Sequence, residues 1–233
     1  MADILCRVEK MEALTPAVIS VTLVPEAKVD FQPGQYLQVV MAEQDKRPFS
    51  IANAPREDNK LELQIGATPD NPYAYEVVER MKSGSITVSI PHGEAYYRDG
   101  SGHPVLLIAG GTGYSYARSI LHYALHHTAG LAQPLTLYWG TRTLADMYEY
   151  KELLELAKVN EHFVFVPVIE EAPDNWHGAQ GWVHHAVMDD FANLADYQIY
   201  VAGRFEMAGA IREDFKNKGI KTENLFGDAY AFI

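Results

Sequence analysis

Val105-Leu106-Leu107-Ile108-Ala109-Gly110-Gly111-Thr112-Gly113-Tyr114-Ser115-Tyr116-Ala117-Arg118 is the stretch on which the reading of this chain turns. Five apolar residues without alternation describe a strand buried on both faces, and three glycines with a threonine then lead into a helical pattern. A strand of that kind belongs to a parallel sheet covered by helices, for which nucleotide binding at a strand–helix turn is a common use. The turn presents bare backbone N–H groups and the positive end of a helix, which suits a pyrophosphate. Its spacing is neither G-x-G-x-x-G nor a P-loop, because the lysine is missing. A turn whose glycines serve only packing is the alternative.

Outward from this turn, toward the carboxy terminus, apolar runs alternate with helical patterns. Leu135 to Trp139, Phe163 to Val168 and Gln198 to Ala202 read as further buried strands. Tyr116 to His127, Leu144 to Lys158, Trp182 to Phe191 and Glu206 to Lys216 read as helices, which together make a Rossmann-like parallel α/β domain. Toward the amino terminus the period changes to two. Ile4 to Val8, Val18 to Val24, Tyr36 to Met41, Leu61 to Ile65 and Ile86 to Ile90 are short strands cut by Pro25, Pro33-Gly34, Pro55, Asp58-Asn59 and Pro91-His92-Gly93. Five or six such strands predict an antiparallel β barrel, with one helix over Pro72 to Met81 at its end. Asp99-Gly100-Ser101-Gly102 is the most linker-like stretch, so the expected division is a barrel over 1–100 and an α/β domain over 101–233.

The chain has 233 residues and a formal net charge of −12, spread evenly over both halves. That balance repels nucleic acid and anionic membrane surfaces, so a small molecule held by local geometry is the expected partner. Cys6 is the single cysteine, which excludes an internal disulfide, a four-thiolate zinc site and an iron–sulfur cluster. The first ten residues lack the apolar core of a signal peptide and no apolar run reaches 18 residues, so the expected location is the cytoplasm.

In the first half, Arg47-Pro48-Phe49-Ser50-Ile51-Ala52-Asn53 follows a strand and offers a guanidinium fork, a rigid proline, an aromatic and a hydroxyl. Such a set suits phosphate or polyol oxygens and the edge of a planar heterocycle. Taken alone it reads equally as an edge strand with a surface arginine, and Gly34-Gln35-Tyr36 as a plain turn with a core tyrosine. The histidine pairs His122/His126 and His184-His185 have no companion ligands at zinc-like spacing and are expected on solvated helix faces, with no metal site. Cys6 is expected to pack rather than react.

Taken together, the two motifs resemble the ferredoxin–NADP reductase superfamily. Arg47-Pro48-Phe49-Ser50 is similar to its flavin signature and Gly110-Gly111-Thr112-Gly113 to its nicotinamide-nucleotide turn; the likeness extends through Gly203-Arg204-Phe205 to Phe226–Ile233. Within the superfamily the chain looks like the flavin reductases of enterobacteria and luminous bacteria. The resemblance implies hydride transfer from NADH or NADPH to a flavin, whether riboflavin, FMN or FAD. Ser50 would be the catalytic group at the flavin N5 edge, Arg47 would meet the ribityl chain, and Tyr36, Pro48, Phe49, Ile51 and Asn53 would complete the flavin site. Gly110 to Ser115, including Thr112, Gly113 and Tyr114, would hold the nicotinamide nucleotide, with Gly203 and Arg204 near the nicotinamide and Arg142 near a 2′-phosphate. One basic residue there implies use of both nucleotides. Ala202 stands where many relatives have a cysteine.

One departure sharpens this. Relatives that retain FAD carry a second glycine-rich segment for its pyrophosphate, whereas this chain has Leu63 to Pro72 with one glycine, two prolines and an acidic residue. The flavin is therefore expected as an exchangeable substrate, passed as reduced product to flavin-using acceptor enzymes, with the chain a monomer. The rival expectations are a reductase component that keeps FAD and feeds a partner protein, and a nucleotide-binding regulatory module without turnover.

Overall fold

The structure is a computed structural model that describes residues 2–127 and 133–233. Two compact units emerge, Met1–Tyr97 with Arg118–Tyr123, and Arg98–Ala117 with Ala124–Ile233.

The first unit is a six-stranded antiparallel sheet: β1 (Ala2–Thr15), β2 (Val18–Pro25), β3 (Tyr36–Ala42), β4 (Asp45–Ser50), β5 (Leu61–Gly66) and β6 (Ser85–His92), in the order β4-β3-β6-β1-β2-β5. Its end strands approach each other where Ala52 N–H donates to the Glu62 carbonyl at 2.7 Å, just beyond β4. Alternate residues of the strands, among them Val21, Leu23, Leu37, Val39, Leu63 and Val88, fill the interior. Helix α1 (Pro72–Met81) adds Ala74, Val77, Val78 and Met81 to that core, and its bounds are those that the spacing of its apolar residues predicts.

β4 corrects the reading of Arg47–Ser50 as following a strand and matches its alternative, an edge strand, except that Arg47 is buried and not on the surface. Those residues lie inside one, paired with β3 from Tyr36↔Ser50 to Ala42↔Asp45. Asp-Lys-Arg-Pro-Phe-Ser lacks the β-branched residues of an ordinary strand. It is tolerated because β4 ends the hydrogen-bonded order, where the missing N–H of Pro48 costs no second ladder.

The second unit is a parallel sheet with helices. Its elements are β7 (Val105–Gly110), α2 (Tyr114–His127), β8 (Leu135–Thr141), α3 (Tyr150–Val159), β9 (Phe163–Ile169), β10 (Ala179–Gln180), α4 (Val183–Asp190), β11 (Gln198–Ala202), α5 (Phe205–Asn217) and β12 (Leu225–Phe226). The strand order is β10-β9-β8-β7-β11-β12, so the chain builds outward from β7 on one side and then returns to its other side with β11. The carboxyl ends of β7 and β11 therefore flank the point where the strand order reverses, the usual ligand crevice of such sheets.

The helix expected over Leu144 to Lys158 is interrupted. A 3-10 turn spans Leu144–Asp146, and α3 begins only at Tyr150. The Asp146 carboxylate accepts from both the Thr143 N–H (2.9 Å) and the Thr143 hydroxyl (2.8 Å), which caps the start of this turn, and Met147, at φ −90° and ψ 73°, leaves the helical region and ends it.

Candidate active site

Arg47 is buried on β4 and its guanidinium is largely engaged by the protein. Nε and one terminal nitrogen grip Asp45 at 2.8 and 2.6 Å, and that same nitrogen lies 2.9 Å from Glu76 on α1. The other terminal nitrogen donates to the Tyr73 carbonyl at 2.6 Å, while the guanidinium carbon stands 4.9 Å from the Tyr73 ring centre. The Arg47 hydrogen bond holds the Asp45 carboxyl below the usual carboxylate range. Arg47 thus meets two carboxylates, and the charge of a second cation, Arg80, also bears on Asp45. Asp45 lies two residues from Arg47 and could be read beside it; Glu76, 29 positions away on α1, carries no signal in the sequence.

Three residues on from Arg47, the half-buried Ser50 hydroxyl forms no hydrogen bond among the described residues. It ends the strand as an uncommitted donor and acceptor. Its neighbours are fixed. Ile51 N–H donates to the Gln35 carbonyl at 3.1 Å, and Ile51, Ala52 and Asn53 are all buried. The Asn53 side chain is spent on backbone: its amide donates to the carbonyls of Ala54 (2.8 Å) and Lys60 (3.0 Å), and its oxygen accepts from Glu62 N–H (2.7 Å). The Ser119 hydroxyl donates to the Asn53 carbonyl at 2.8 Å, and Arg118 donates to the Ala52 carbonyl at 3.0 Å while pairing with Glu62. Pro33-Gly34 forms a tight turn, with Gly34 at φ 95° and Gln35 N–H donating to Gln32, which delivers Tyr36 to β3 with its ring stacked 5.5 Å from His92. Pro48 is exposed, and Phe49 leans on the barrel core.

In the second unit the glycines of the turn divide by task. A Cβ on Gly113 would sit 2.3 Å from the Ala202 carbonyl oxygen, and one on Gly110 would sit 2.7 Å from the Met207 sulfur. These two serve close packing between the ends of β7 and β11. Gly111 has φ 53° with open space around it, and Gly111 and Thr112 are exposed. The packing alternative thus holds for two of the three glycines, and the Gly111-Thr112 pair is left facing outward at the head of α2.

Tyr114 and Ser115 are buried. The Tyr114 ring stacks on Trp139 at 3.9 Å and its hydroxyl donates to Glu149 at 2.7 Å, so its side chain belongs to the wall behind the turn. Trp139 in turn donates from Nε1 to the Gly111 carbonyl at 2.9 Å, which fixes the turn from below. At the end of β11, Gly203 and Arg204 are exposed, and a Cβ on Gly203 would meet the Met207 methyl at 2.4 Å. Arg142, exposed after β8, pairs with Glu171 at 2.7 Å. Its partner, like Glu76, is distant in sequence.

One of the four paired histidines corrects the sequence reading, while His126 and His185 are exposed as expected. His184, expected on a solvated helix face, is buried, because Val183, Ala186 and Val187 turn that side of α4 into the core. Burial first, and then the neighbouring His185, pushes its pKa below the usual imidazole value. No helix among the described residues is long and apolar enough to cross a membrane.

The oxidoreductase NAD-binding domain family matches residues 107–213, from β7 into α5. The chain is 49% identical to the NAD(P)H-flavin reductase of Vibrio harveyi, over 98% of both chains, and 50% identical to that of Aliivibrio fischeri, again over 98% of both. Among solved structures it superposes on the ferredoxin reductase of carbazole 1,9a-dioxygenase with a TM-score of 0.84 and 28% identity, over 98% of this chain and 69% of that one.

Proposed function

The chain belongs to the NAD(P)H-flavin reductase family, and from that premise we propose that it moves a hydride from nicotinamide C4 to flavin N5, with both molecules bound as substrates that leave again. It is an oxidoreductase with NAD(P)H as donor and flavin as acceptor. The two substrates carry the redox chemistry themselves, and the protein's task is to position them, donate to the atom that gains electron density and keep water out.

Ser50 carries this reading. A hydroxyl with no partner among the described residues, at the end of a strand whose next three residues are buried, can hydrogen-bond a ring nitrogen without first giving up a bond to one of them. Ile51 to Asn53 would frame the ring edge with backbone, and Tyr36, Pro48 and Phe49 its surroundings. On the nucleotide side, Gly111 and Thr112 offer exposed N–H groups at the head of α2, so Gly110 to Ser115 would receive the pyrophosphate, with the buried Tyr114 and Ser115 contributing backbone. Gly203 and Arg204 would lie beside the nicotinamide, and Arg142 beside a 2′-phosphate.

Two observations support an exchangeable flavin. Arg47 is neutralised by Asp45 and Glu76, and so offers little net attraction to a phosphate. Near the start of α1, the Thr68 hydroxyl and the backbone N–H of Asp70 lower the pKa of the Asp70 carboxyl, so this segment carries a carboxylate that would repel a pyrophosphate brought to it. The same reading has reduced flavin diffuse to flavin-using acceptor enzymes in the cytoplasm, with the chain a monomer.

The test is direct. Dialysed protein should carry much less than one flavin per chain and oxidise NADH or NADPH once riboflavin or FMN is added, and Ser50→Ala should lower kcat by about a hundredfold. Stoichiometric FAD after dialysis would overturn the exchangeable reading; an unchanged kcat would remove Ser50 from the reaction.

A further inference from the structure

The pair that the sequence leaves as ordinary surface histidines acquires a third member in the fold. His184 and His185 lie on the first turn of α4, and Asp214 approaches them from α5. One donor atom from each lies within 4.8 Å of the others. The two imidazole rings meet edge to face at 4.3 Å, so the adjacent side chains converge instead of diverging around the helix.

The buried member is the informative one. Only 5% of the His184 side chain is exposed, yet among the described residues neither ring nitrogen has a hydrogen bond: Nδ1 has no partner, and Nε2 stands 3.5 Å from Asp214 Oδ2, too far for a good one. Buried polar groups are nearly always satisfied, and an exception calls for a reason. The approach to Asp214 is made by the other ring nitrogen, Nε2, so what points to a ligand is that approach and the convergence of the three side chains, not Nδ1. Two ligands each about 2.0–2.1 Å from a tetrahedral ion stand about 3.4 Å apart, so the His184–Asp214 gap of 3.5 Å already matches an edge of a coordination shell, while the wider separations within the trio, up to 4.8 Å, close by rotation of the exposed His185 side chain as the ion binds.

We propose that His184, His185 and Asp214 form a binding site for one divalent transition-metal cation of the zinc type, clamping α4 to α5. Two imidazoles and one carboxylate form a nitrogen-rich set that suits zinc, nickel or copper over the oxygen-seeking magnesium and calcium. Because His185 is exposed and Asp214 partly so, the site opens to solvent, and water completes the shell. The helices it joins already share the apolar contacts of Val187, Ile211 and Phe215, so the ion would act on a preformed junction.

The experiment titrates the full chain with Zn²⁺ against a chromophoric chelator, with Mg²⁺ as the control cation, and follows melting temperature in parallel. One Zn²⁺ should bind per chain with micromolar or tighter affinity and raise the melting temperature. Binding should weaken at least about tenfold in His185→Ala and in Asp214→Asn, with the thermal shift lost. Both positions reach the surface, so the metal-free variants should melt like the parent, which separates loss of a ligand from loss of fold. Unchanged affinity in both variants, loss in His122→Ala instead, or Mg²⁺ binding as tightly as Zn²⁺ would each overturn the site.

Discussion

Arg142 and Glu171 pose the specificity question in one ion pair. The pair is exposed, and Glu171 raises the Arg142 pKa without changing its charge at neutral pH. A 2′-phosphate would have to compete with that carboxylate for the guanidinium. Glu171→Gln should therefore raise kcat/KM for NADPH relative to NADH, and Arg142→Ala should lower it, each by a few-fold, the scale of an exposed charge pair. Steady-state kinetics with the two nucleotides reads both.

At Asp45 the sign follows from its lowered pKa. The unfolded chain takes up that proton near 3.8 and the folded chain only at lower pH, so the Asp45–Arg47 contribution is complete above 3.8 and is lost as pH falls through the folded value. Asp45→Asn should thus be less stable than the parent near neutrality, and the gap should close in acid, as measured by denaturant melts at stepped pH. Cys6 behaves oppositely: burial, with help from the Glu26 charge, pushes its thiol up to about 12. Alkylating reagents should leave it untouched in native protein and label it on unfolding, as intact mass will show.

Among elements, the junction of β7 with β11 gives the sharpest contrast. An added methyl at Gly113 would run into the backbone carbonyl of Ala202, whereas at Gly203 it would meet the far end of the flexible Met207 side chain. Gly113→Ala should cost about 1–3 kcal/mol in a denaturant melt, and Gly203→Ala less, because Met207 can swing aside. What the sequence discloses about elements follows the same line between local and distant causes. The helix over Pro72–Met81 and the strand Gln198–Ala202 appear at their predicted bounds because periodicity alone decides them. The pause after Asp146 comes where the Met147 backbone leaves the helical region, and β4 depends on β3 recruiting a polar hexapeptide at the sheet edge, neither of which leaves a periodic trace. The two chemical motifs stand out in the sequence as residue types; that Arg47 is neutralised and Ser50 left free shows only in three dimensions.

For the molecule as a whole, the net charge of −12 sets the terms on which anionic substrates arrive. At low salt the Debye length is about 30 Å and the field opposes a dinucleotide, while at physiological salt it shrinks to about 8 Å and the repulsion fades. KM for NADPH should therefore fall as ionic strength rises over that range, and by more than KM for NADH, which lacks the extra phosphate. A rise would mean that local cations outweigh the field. The buried run Ile51–Asn53 bears on the same arrivals in another way. Loops usually lie on the surface and tighten around a ligand, but Ser119, Arg118 and Glu62 already hold this one by its own backbone. No ordering entropy of that loop is left for a ligand to overcome, so entry there is not slowed by a rearrangement, and the residence time is set by the contacts that the ligand itself makes.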